Sequence, residues 1–199
     1  DVNEDKEMLI GNDIDIEDIV WFGSVDAVSD LAAQVGVVNS APMSELQNIC
    51  DKAKASNRKI HFLPPYRADI KIQISDLLGI HPNQQKEEAS LELINAVVKM
   101  RSVKTAEEIE ELERAAVIGY KMHTTAMRIT KPGLTEKYVA GQIEGIANSY
   151  GSMVSFPIIY SQHGEIMHGN PSMAELEDGR LVLCDCGGET MSHYCSDNT

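Results

Sequence analysis

The strongest structural signal lies at the end of the chain, which reads LVLCDCGGE over residues 181–189 and YCSDNT over residues 194–199. The apolar run that ends at Asp185 predicts a buried strand, and the final residues predict a second strand that pairs with it across a turn at Gly187-Gly188. An isolated carboxylate is costly to bury within such a strand, so Asp185 requires a cation or a hydrogen-bond network. A second carboxylate, Asp197, returns on the partner strand.

Two neighbouring strands can bring Asp185 and Asp197 close to one cation or to a pair of cations. Carboxylate oxygens favour hard ions such as manganese or magnesium, or cobalt, over a metal bound by thiolates. On spacing alone, an aspartate at the end of a strand is also explained as a turn residue, and both interpretations stay open.

A rival set of metal ligands comprises Cys184, Cys186, His193 and Cys195. Alternation of side chains along a strand argues against this set. Cys184 and Cys186 are expected to point away from the face of Asp185, whereas the histidine and the third cysteine share the face of Asp197. The spacing also differs from that of common zinc sites. We therefore interpret Cys184 and Cys186 as buried core residues.

Two histidines, His163 and His168, lie in the glycine-containing loop of residues 161–172. A loop histidine can act as a general acid, as a hydrogen-bond donor to an oxyanion or as a metal ligand, although solvent exposure explains either one alone. His123 falls on the apolar stripe of a long helix and is interpreted as a core residue. That stripe is predicted to contain Ile109, Leu112, Ala116, Tyr120, His123 and Met127.

Capping signals and breakers delimit the helices further back in the chain. Thr105 with Glu108 and Ser44 with Gln47 are capping boxes. Pro132-Gly133 ends the long helix, and the next one begins at Thr135.

The first part of the chain is predicted to alternate between strands and helices. Residues 8–63 predict an α/β layer domain that includes a strand over residues 59–63. Residues 68–78 are ambiguous between strand and helix. The element pattern changes near residue 100, which predicts domains at 1–99 and 100–199.

Composition excludes several classes of protein. Apolar residues make up 43% and charged residues 24%, as in an ordinary globular protein. A net charge of −14 disfavours binding to nucleic acid or to anionic membranes. No apolar run approaches the roughly 18–20 residues of a membrane span. Sparse cysteines favour the cytoplasm. Because residue 1 is not Met and Thr199 ends a strand-like stretch, we expect a piece of a longer protein.

Five stretches in order resemble the metallopeptidases of the pita-bread fold, and within them the Xaa-Pro aminopeptidases. They are residues 100–110 (MRSVKTAEEIE), 131–136 (KPGLTE), 164–168 (GEIMH), 181–187 and 194–199. Residues 19–23 (IVWFG) and 61–67 (HFLPPYR) are similar to the α/β domain that precedes the catalytic domain in bacterial members. The resemblance implies a partial, creatinase N-terminal-like α/β domain over 1–99, followed by an incomplete α+β pita-bread catalytic domain over 100–199.

The resemblance also implies a site with two divalent metal ions, manganese in the first place with cobalt or zinc as alternatives. Family members hold these ions with two aspartates, one histidine and two glutamates, and the aspartates correspond to Asp185 and Asp197. His168 corresponds to a loop histidine that hydrogen-bonds the substrate. One extra residue between the aspartates predicts a bulge over residues 188–192. The other three ligands are expected beyond Thr199, so we expect this chain alone to bind metal weakly and to lack peptidase activity.

The implied reaction is release of an N-terminal residue from a peptide that has proline at the second position. A homodimer is expected from the same resemblance. The alternatives are a prolidase that cleaves dipeptides, a methionine aminopeptidase, which usually lacks the preceding α/β domain, and a non-catalytic binding module of the same fold.

Overall fold

The computed structural model describes residues 1–199, which form two compact units, Asp1–Lys99 and Met100–Thr199. Two short parallel strands with Leu9 opposite Ser40 lie in the first unit, where two helices connect them. The assignment of this unit to a creatinase-like domain stays a prediction. Its elements are β1 (Leu9–Ile10), α1 (Ile16–Phe22), α2 (Val28–Gln34), β2 (Ser40–Ala41), α3 (Glu45–Ala55), α4 (Ala68–Leu78), α5 (Gln85–Glu88) and α6 (Leu91–Ser102), which runs across the boundary between the units.

Three local predictions in the first unit have different outcomes. The ambiguous segment is helix α4, which ends at Gly79 in the left-handed conformation with φ of 75°. The predicted strand over residues 59–63 is wrong, because this segment pairs with no strand. Helix α3 follows Ser44 as predicted, but the hydroxyl of Ser44 makes no capping hydrogen bond because the residue is itself helical.

The second unit has two long helices and four short strands. The capping box at its start is confirmed, since Thr105 Oγ1 accepts from the Glu108 backbone N–H at 3.3 Å and the Glu108 carboxylate accepts from the Thr105 N–H at 2.8 Å. Thr105 and Thr135 are the N-caps of the two helices. The elements are α7 (Ala106–Ile129), α8 (Glu136–Tyr150), β3 (Met153–Val154), β4 (Ile159–Ser161), β5 (Leu183–Asp185) and β6 (Gly188–Glu189).

The buried stripe of α7 is not the predicted one. Tyr120 and Met127 are exposed, with 69% and 75% of their surface accessible. Two stripes of helical period exist on this helix, and the structure buries the one with small residues. A Cβ at Gly119 would lie 2.8 Å from Ser196 Oγ, so a close approach of the backbone selects this face. Its members are Ala115, Ile118, Gly119, Met122 and Ala126.

The other strands of the second unit all pair with one segment, residues 183–189. On one side β5 pairs antiparallel with β4, and β6 pairs antiparallel with β3. On the other side residues 195–198 pair with the same segment through bridges Cys186–Asn198 and Glu189–Cys195. Helices α7 and α8 pack against one face, where Cys186 joins the apolar core of both helices. None of the helices has both the length and the apolar character needed to cross a membrane.

Candidate metal centre

Asp185 is the last residue of β5, opposite Ile159 of β4. The carboxylate is half-buried, and its Oδ1 atom is inaccessible to solvent and has no hydrogen-bond partner. A buried carboxylate oxygen without a partner is destabilising by roughly 1–3 kcal/mol, and more when charged. This atom therefore lacks a proton donor or a cation.

Asp197 lies on the neighbouring segment, next to the paired residue Asn198. The pair Cys186–Asn198 exchanges two backbone hydrogen bonds of 3.0 and 3.3 Å. Since faces alternate along a strand, Asp185 and Asp197, which flank this pair, share the face opposite to Cys186. They are diagonal neighbours across the strands, a relation in which residues lie about 7–8 Å apart. Asp197 is exposed, so this face presents two carboxylates away from helices α7 and α8.

The turn between these strands is not where the sequence predicts it. Residues 187 and 188 lie inside the paired region, and the turn covers residues 191–193, where the His193 N–H donates to the Thr190 carbonyl at 3.0 Å. His193 has φ of 64°, the left-handed residue that closes a three-residue hairpin loop. The register is the same at Cys186–Asn198 and at Glu189–Cys195, so residues 188 and 189 pair without a bulge. Of the segment 188–192 that was predicted to bulge, only residues 191 and 192 lie in the turn.

Gly187 and Gly188 are required by close contacts rather than by a turn. A Cβ at Gly187 would lie 1.7 Å from the Ser196 carbonyl oxygen, and one at Gly188 would lie 2.2 Å from Ile118 Cγ2. A glycine pair looks like a turn in the sequence, but inside a strand it marks a close approach of neighbouring groups. These two glycines let α7 and the returning strand approach the segment that carries Asp185.

His168 lies in the loop after β4 and is exposed, without a hydrogen bond to either aspartate. His163 of the same loop is also exposed, and its Nδ1 lies 3.0 Å from Glu165 Oε1. Gly164, between them, comes close to β5, since its Cβ would lie 3.6 Å from Leu183 Cβ. The loop thus begins beside β5, the strand of Asp185, but it does not bring His168 into hydrogen-bonding contact with either aspartate.

Glu136, which no pattern in the sequence marks as functional, holds both ends of this loop. Its side chain is 1% exposed. Oε1 accepts from Ser161 Oγ at 2.9 Å and from the Gln162 N–H at 2.8 Å, and Oε2 accepts from Ser172 Oγ at 2.6 Å and from the Ser172 N–H at 3.1 Å. Burial alone would raise the pKa of Glu136, but these hydrogen bonds, led by that of Ser172, lower it below its ordinary value. A glutamate in the first turn of a helix is common, so no local signal distinguishes it.

The rival set of zinc ligands is not assembled. His193 Nδ1 lies 2.5 Å from Glu189 Oε1, and Cys195 is exposed in the hairpin. Cys184 and Cys186 do point away from the face of Asp185, and Cys186 is fully buried as predicted. Cys184 is only half-buried, and the Nε2 atom of His123 lies 3.4 Å from the sulfur of Cys186.

The residues on the aspartate face suit a hard divalent ion. Asp185 and Asp197 offer carboxylate oxygens, one of them buried and unpartnered at Asp185, and manganese or magnesium prefers such ligands. Two carboxylates satisfy only part of the coordination shell of an ion of this class, which takes about six oxygen or nitrogen ligands.

Comparison with known proteins confirms the resemblance to this family of metallopeptidases. Residues 110–199 match the model of Metallopeptidase family M24. An uncharacterized peptidase of Staphylococcus aureus (strain bovine RF122 / ET3-1) is 31% identical over 106 residues, which cover 52% of this chain and 30% of that protein.

Solved structures extend the likeness to most of the chain. The proline aminopeptidase P II of Yersinia pestis is 25% identical, with a TM-score of 0.73 over 94% of this chain and 45% of that one. The prolidase of Pyrococcus furiosus is 20% identical, with a TM-score of 0.61 over 84% of this chain and 52% of that one. The chain thus shares the fold of these metallopeptidases and spans about half of their length.

Proposed function

We propose that this chain is part of a metal-dependent aminopeptidase that releases an N-terminal residue preceding proline, and that its second unit, residues 110–199 of which match family M24, supplies part of the metal site. The observation that carries the proposal is the buried, unpartnered Oδ1 of Asp185 on the face that it shares with Asp197. That oxygen is satisfied when a cation binds.

Each proposed site residue has a distinct task. Asp185 and Asp197 hold the ions through their carboxylates. When bound, two divalent ions, which we propose to be manganese, supply Lewis-acid activation of water and of the peptide carbonyl. His168, on an exposed loop, donates a hydrogen bond to the substrate. Glu136 keeps that loop in place by holding the backbone at Gln162 and Ser172.

The 199 residues supply two of the five ligands that the resemblance implies. We therefore propose that this stretch alone binds metal weakly and hydrolyses no peptide, since two carboxylates neither neutralise nor enclose two ions. The N-terminal unit is proposed to be the α/β domain that precedes the catalytic domain in Xaa-Pro aminopeptidases. A homodimer and a cytoplasmic location are proposed on the same resemblance.

Prolidase activity is the second candidate. The wider coverage and higher TM-score against the Yersinia aminopeptidase favour the aminopeptidase over the Pyrococcus prolidase. A non-catalytic binding module is the third candidate, and the retained carboxylate pair argues against it, because a binding module has no need of an unpartnered buried oxygen.

Hydrolysis of an Xaa-Pro-Xaa tripeptide and an Xaa-Pro dipeptide tests the proposal. The natural full-length protein with added Mn²⁺ is expected to release the first residue of the tripeptide. Asp185→Asn should abolish release, whereas Asp178→Asn, an exposed carboxylate of the same unit, should leave it unchanged. His168→Ala should lower kcat, with His163→Ala as the matched control in the same loop.

Two results would redirect the proposal. Cleavage of the dipeptide alone would make the protein a prolidase. No cleavage of either peptide by folded, manganese-loaded protein would contradict the peptidase and favour the binding module. Calorimetric titration of the 199-residue chain with Mn²⁺ checks the weak binding separately, and tight binding would show that the two carboxylates suffice.

A further inference from the structure

A histidine and two cysteines meet on the face of residues 183–189 opposite to Asp185. Cys184 and Cys186 point to the same side of the strand, and His123 reaches them from α7. Cys184 Sγ lies 3.9 Å from Cys186 Sγ, and Cys186 Sγ lies 3.4 Å from His123 Nε2. All three ligand atoms lie within 4.8 Å of one another.

The packing of the unit produces this meeting. Gly119 lacks a Cβ, which would lie 3.2 Å from Asn198 Oδ1, so α7 lies directly on the returning strand. His123 is one helical turn further on and therefore faces the same strand pair. Its Nε2 lies 3.1 Å from the Asn198 carbonyl oxygen, to which it donates a hydrogen bond. The cluster therefore lies between the strand segment of residues 183–189, helix α7 and the returning residues 195–198.

The spacing of these atoms fits a tetrahedral soft metal ion. With zinc–sulfur bonds of about 2.3 Å and zinc–nitrogen bonds of about 2.0–2.1 Å, the edges of a tetrahedron are about 3.8 Å between sulfurs and about 3.6 Å between sulfur and nitrogen. The observed 3.9 and 3.4 Å match these edges. A disulfide would instead require sulfurs about 2.05 Å apart.

Charge and exposure support the same ion. The two negative charges of two thiolates neutralise a divalent cation, and a neutral imidazole adds no charge, which suits a position beside the fully buried Cys186. Cys184 and His123 are half-buried, so a fourth ligand can come from water. Thiolate and imidazole ligands select zinc, whereas the carboxylates on the opposite face select harder ions.

We propose that His123, Cys184 and Cys186 form a zinc site that is separate from the aspartate face. Zinc is held through Nε2 of His123 in the tautomer that carries its proton on Nδ1, so the bond to the metal replaces the hydrogen bond from Nε2 to the Asn198 carbonyl. The site lies on the strand behind Asp185 and stabilises the packing of α7 on the sheet. It does not depend on the peptidase proposal.

Cobalt absorption tests this site without any activity measurement. The reduced 199-residue chain carrying Asp185→Asn and Asp197→Asn is titrated with Co²⁺, because thiolate-bound cobalt has charge-transfer absorption that carboxylate-bound cobalt lacks. We expect one equivalent of cobalt to produce this band and Zn²⁺ to displace it. Cys184→Ser and His123→Gln should weaken binding more than tenfold, since loss of even an outer partner of a metal ligand weakens binding about 10–100-fold.

Cys195→Ser is the matched control, an exposed cysteine of the same hairpin, and should keep the band. Circular dichroism verifies that each variant is folded, and half-buried His123 provides a variant that spares the core if a cysteine variant unfolds. No charge-transfer band in the folded, reduced chain would overturn the proposal. A band that persists in both Cys184→Ser and His123→Gln, or that disappears in Cys195→Ser, would overturn it as well.

Discussion

Replacing Glu136 with glutamine is expected to loosen the loop that carries His168. The substitution keeps the size of the side chain and turns one carboxylate oxygen into an NH₂ group. In the wild-type chain, each carboxylate oxygen of Glu136 accepts a hydrogen bond from one backbone N–H, that of Gln162 for one oxygen and that of Ser172 for the other. In either orientation of the amide, the NH₂ group therefore faces a backbone N–H that has lost its acceptor.

The magnitude follows from these contacts. A buried donor left without a partner is destabilising by about 1–3 kcal/mol, and the remaining bonds weaken because hydrogen bonds to a charged group contribute about 1.5–3 kcal/mol and neutral ones about 0.5–1.5 kcal/mol. We expect a loss of about 2–4 kcal/mol in the free energy of opening the loop. That loss corresponds to hydrogen exchange about 30- to 900-fold faster at the Gln162 amide.

The effect of Glu136 should depend on pH in a defined direction. Its folded pKa is lowered, so its stabilising contribution is fully present above the unfolded value of about 4.3 and is lost as pH falls through the folded pKa. The difference between wild type and Glu136→Gln should therefore be largest at neutral pH and shrink in acid.

Hydrogen–deuterium exchange of the peptide that spans residues 159–173 is the assay, at neutral and acidic pH with intrinsic exchange rates corrected. Glu144→Gln is the control, an exposed glutamate on the same helix, and should leave exchange unchanged. Equal exchange in wild type and Glu136→Gln, or a difference that does not change with pH, would refute the role of the carboxylate.

Further outcomes are expected for glycine, aspartate and tyrosine positions. Gly188→Ala should lower the free energy of unfolding by more than about 2 kcal/mol, because its Cβ would lie 2.2 Å from a side chain of α7. Gly145→Ala should instead raise it by about 0.5–1 kcal/mol, because this helical position has open space around it. Urea unfolding gives both values, and a change of the same sign in both variants would contradict this reasoning. Asp185→Ala should leave the metal-free chain as stable or more stable by about 1 kcal/mol, since it removes an unpartnered oxygen, and a clear loss in the unfolding midpoint would show that the carboxylate is already satisfied. The hydrogen bond from Tyr194 to Glu108 raises the pKa of Tyr194. The stability that this bond contributes is therefore present below the unfolded pKa of about 10 and is lost as pH rises through the folded pKa. Glu108→Gln should lower the pKa of Tyr194 in an ultraviolet titration, and an unchanged titration would rule out the bond.

Local signals predicted much of the second unit. The capping box at Thr105 and the breaker after residue 131 delimit α7, and Thr135 begins α8, because a cap and a proline act within one helical turn. Side-chain alternation correctly put Cys184 and Cys186 on the face of the strand opposite to Asp185. Both results rest on neighbours in sequence, and no knowledge of packing is needed.

Other predictions failed where the deciding contact is distant in sequence. The glycine pair predicts a turn, but it lies inside the strand pair, where other groups approach too closely for a Cβ. The predicted stripe of α7 is wrong for the same reason, because Gly119 faces Ser196 and the helix therefore buries its small residues. In the first unit, the apolar run over residues 59–63 found no partner strand.

Local patterns of residues locate the ends of the helices of the second unit and predict that a second carboxylate follows Asp185 on a neighbouring strand. Which side chains come into contact depends on how these elements pack. His123 and Cys186 are 63 residues apart in the chain, and Glu136 and Ser172 are 36 apart, yet each pair lies in direct contact. Such contacts depend on register and on backbone approach, which a local pattern of residue types does not encode.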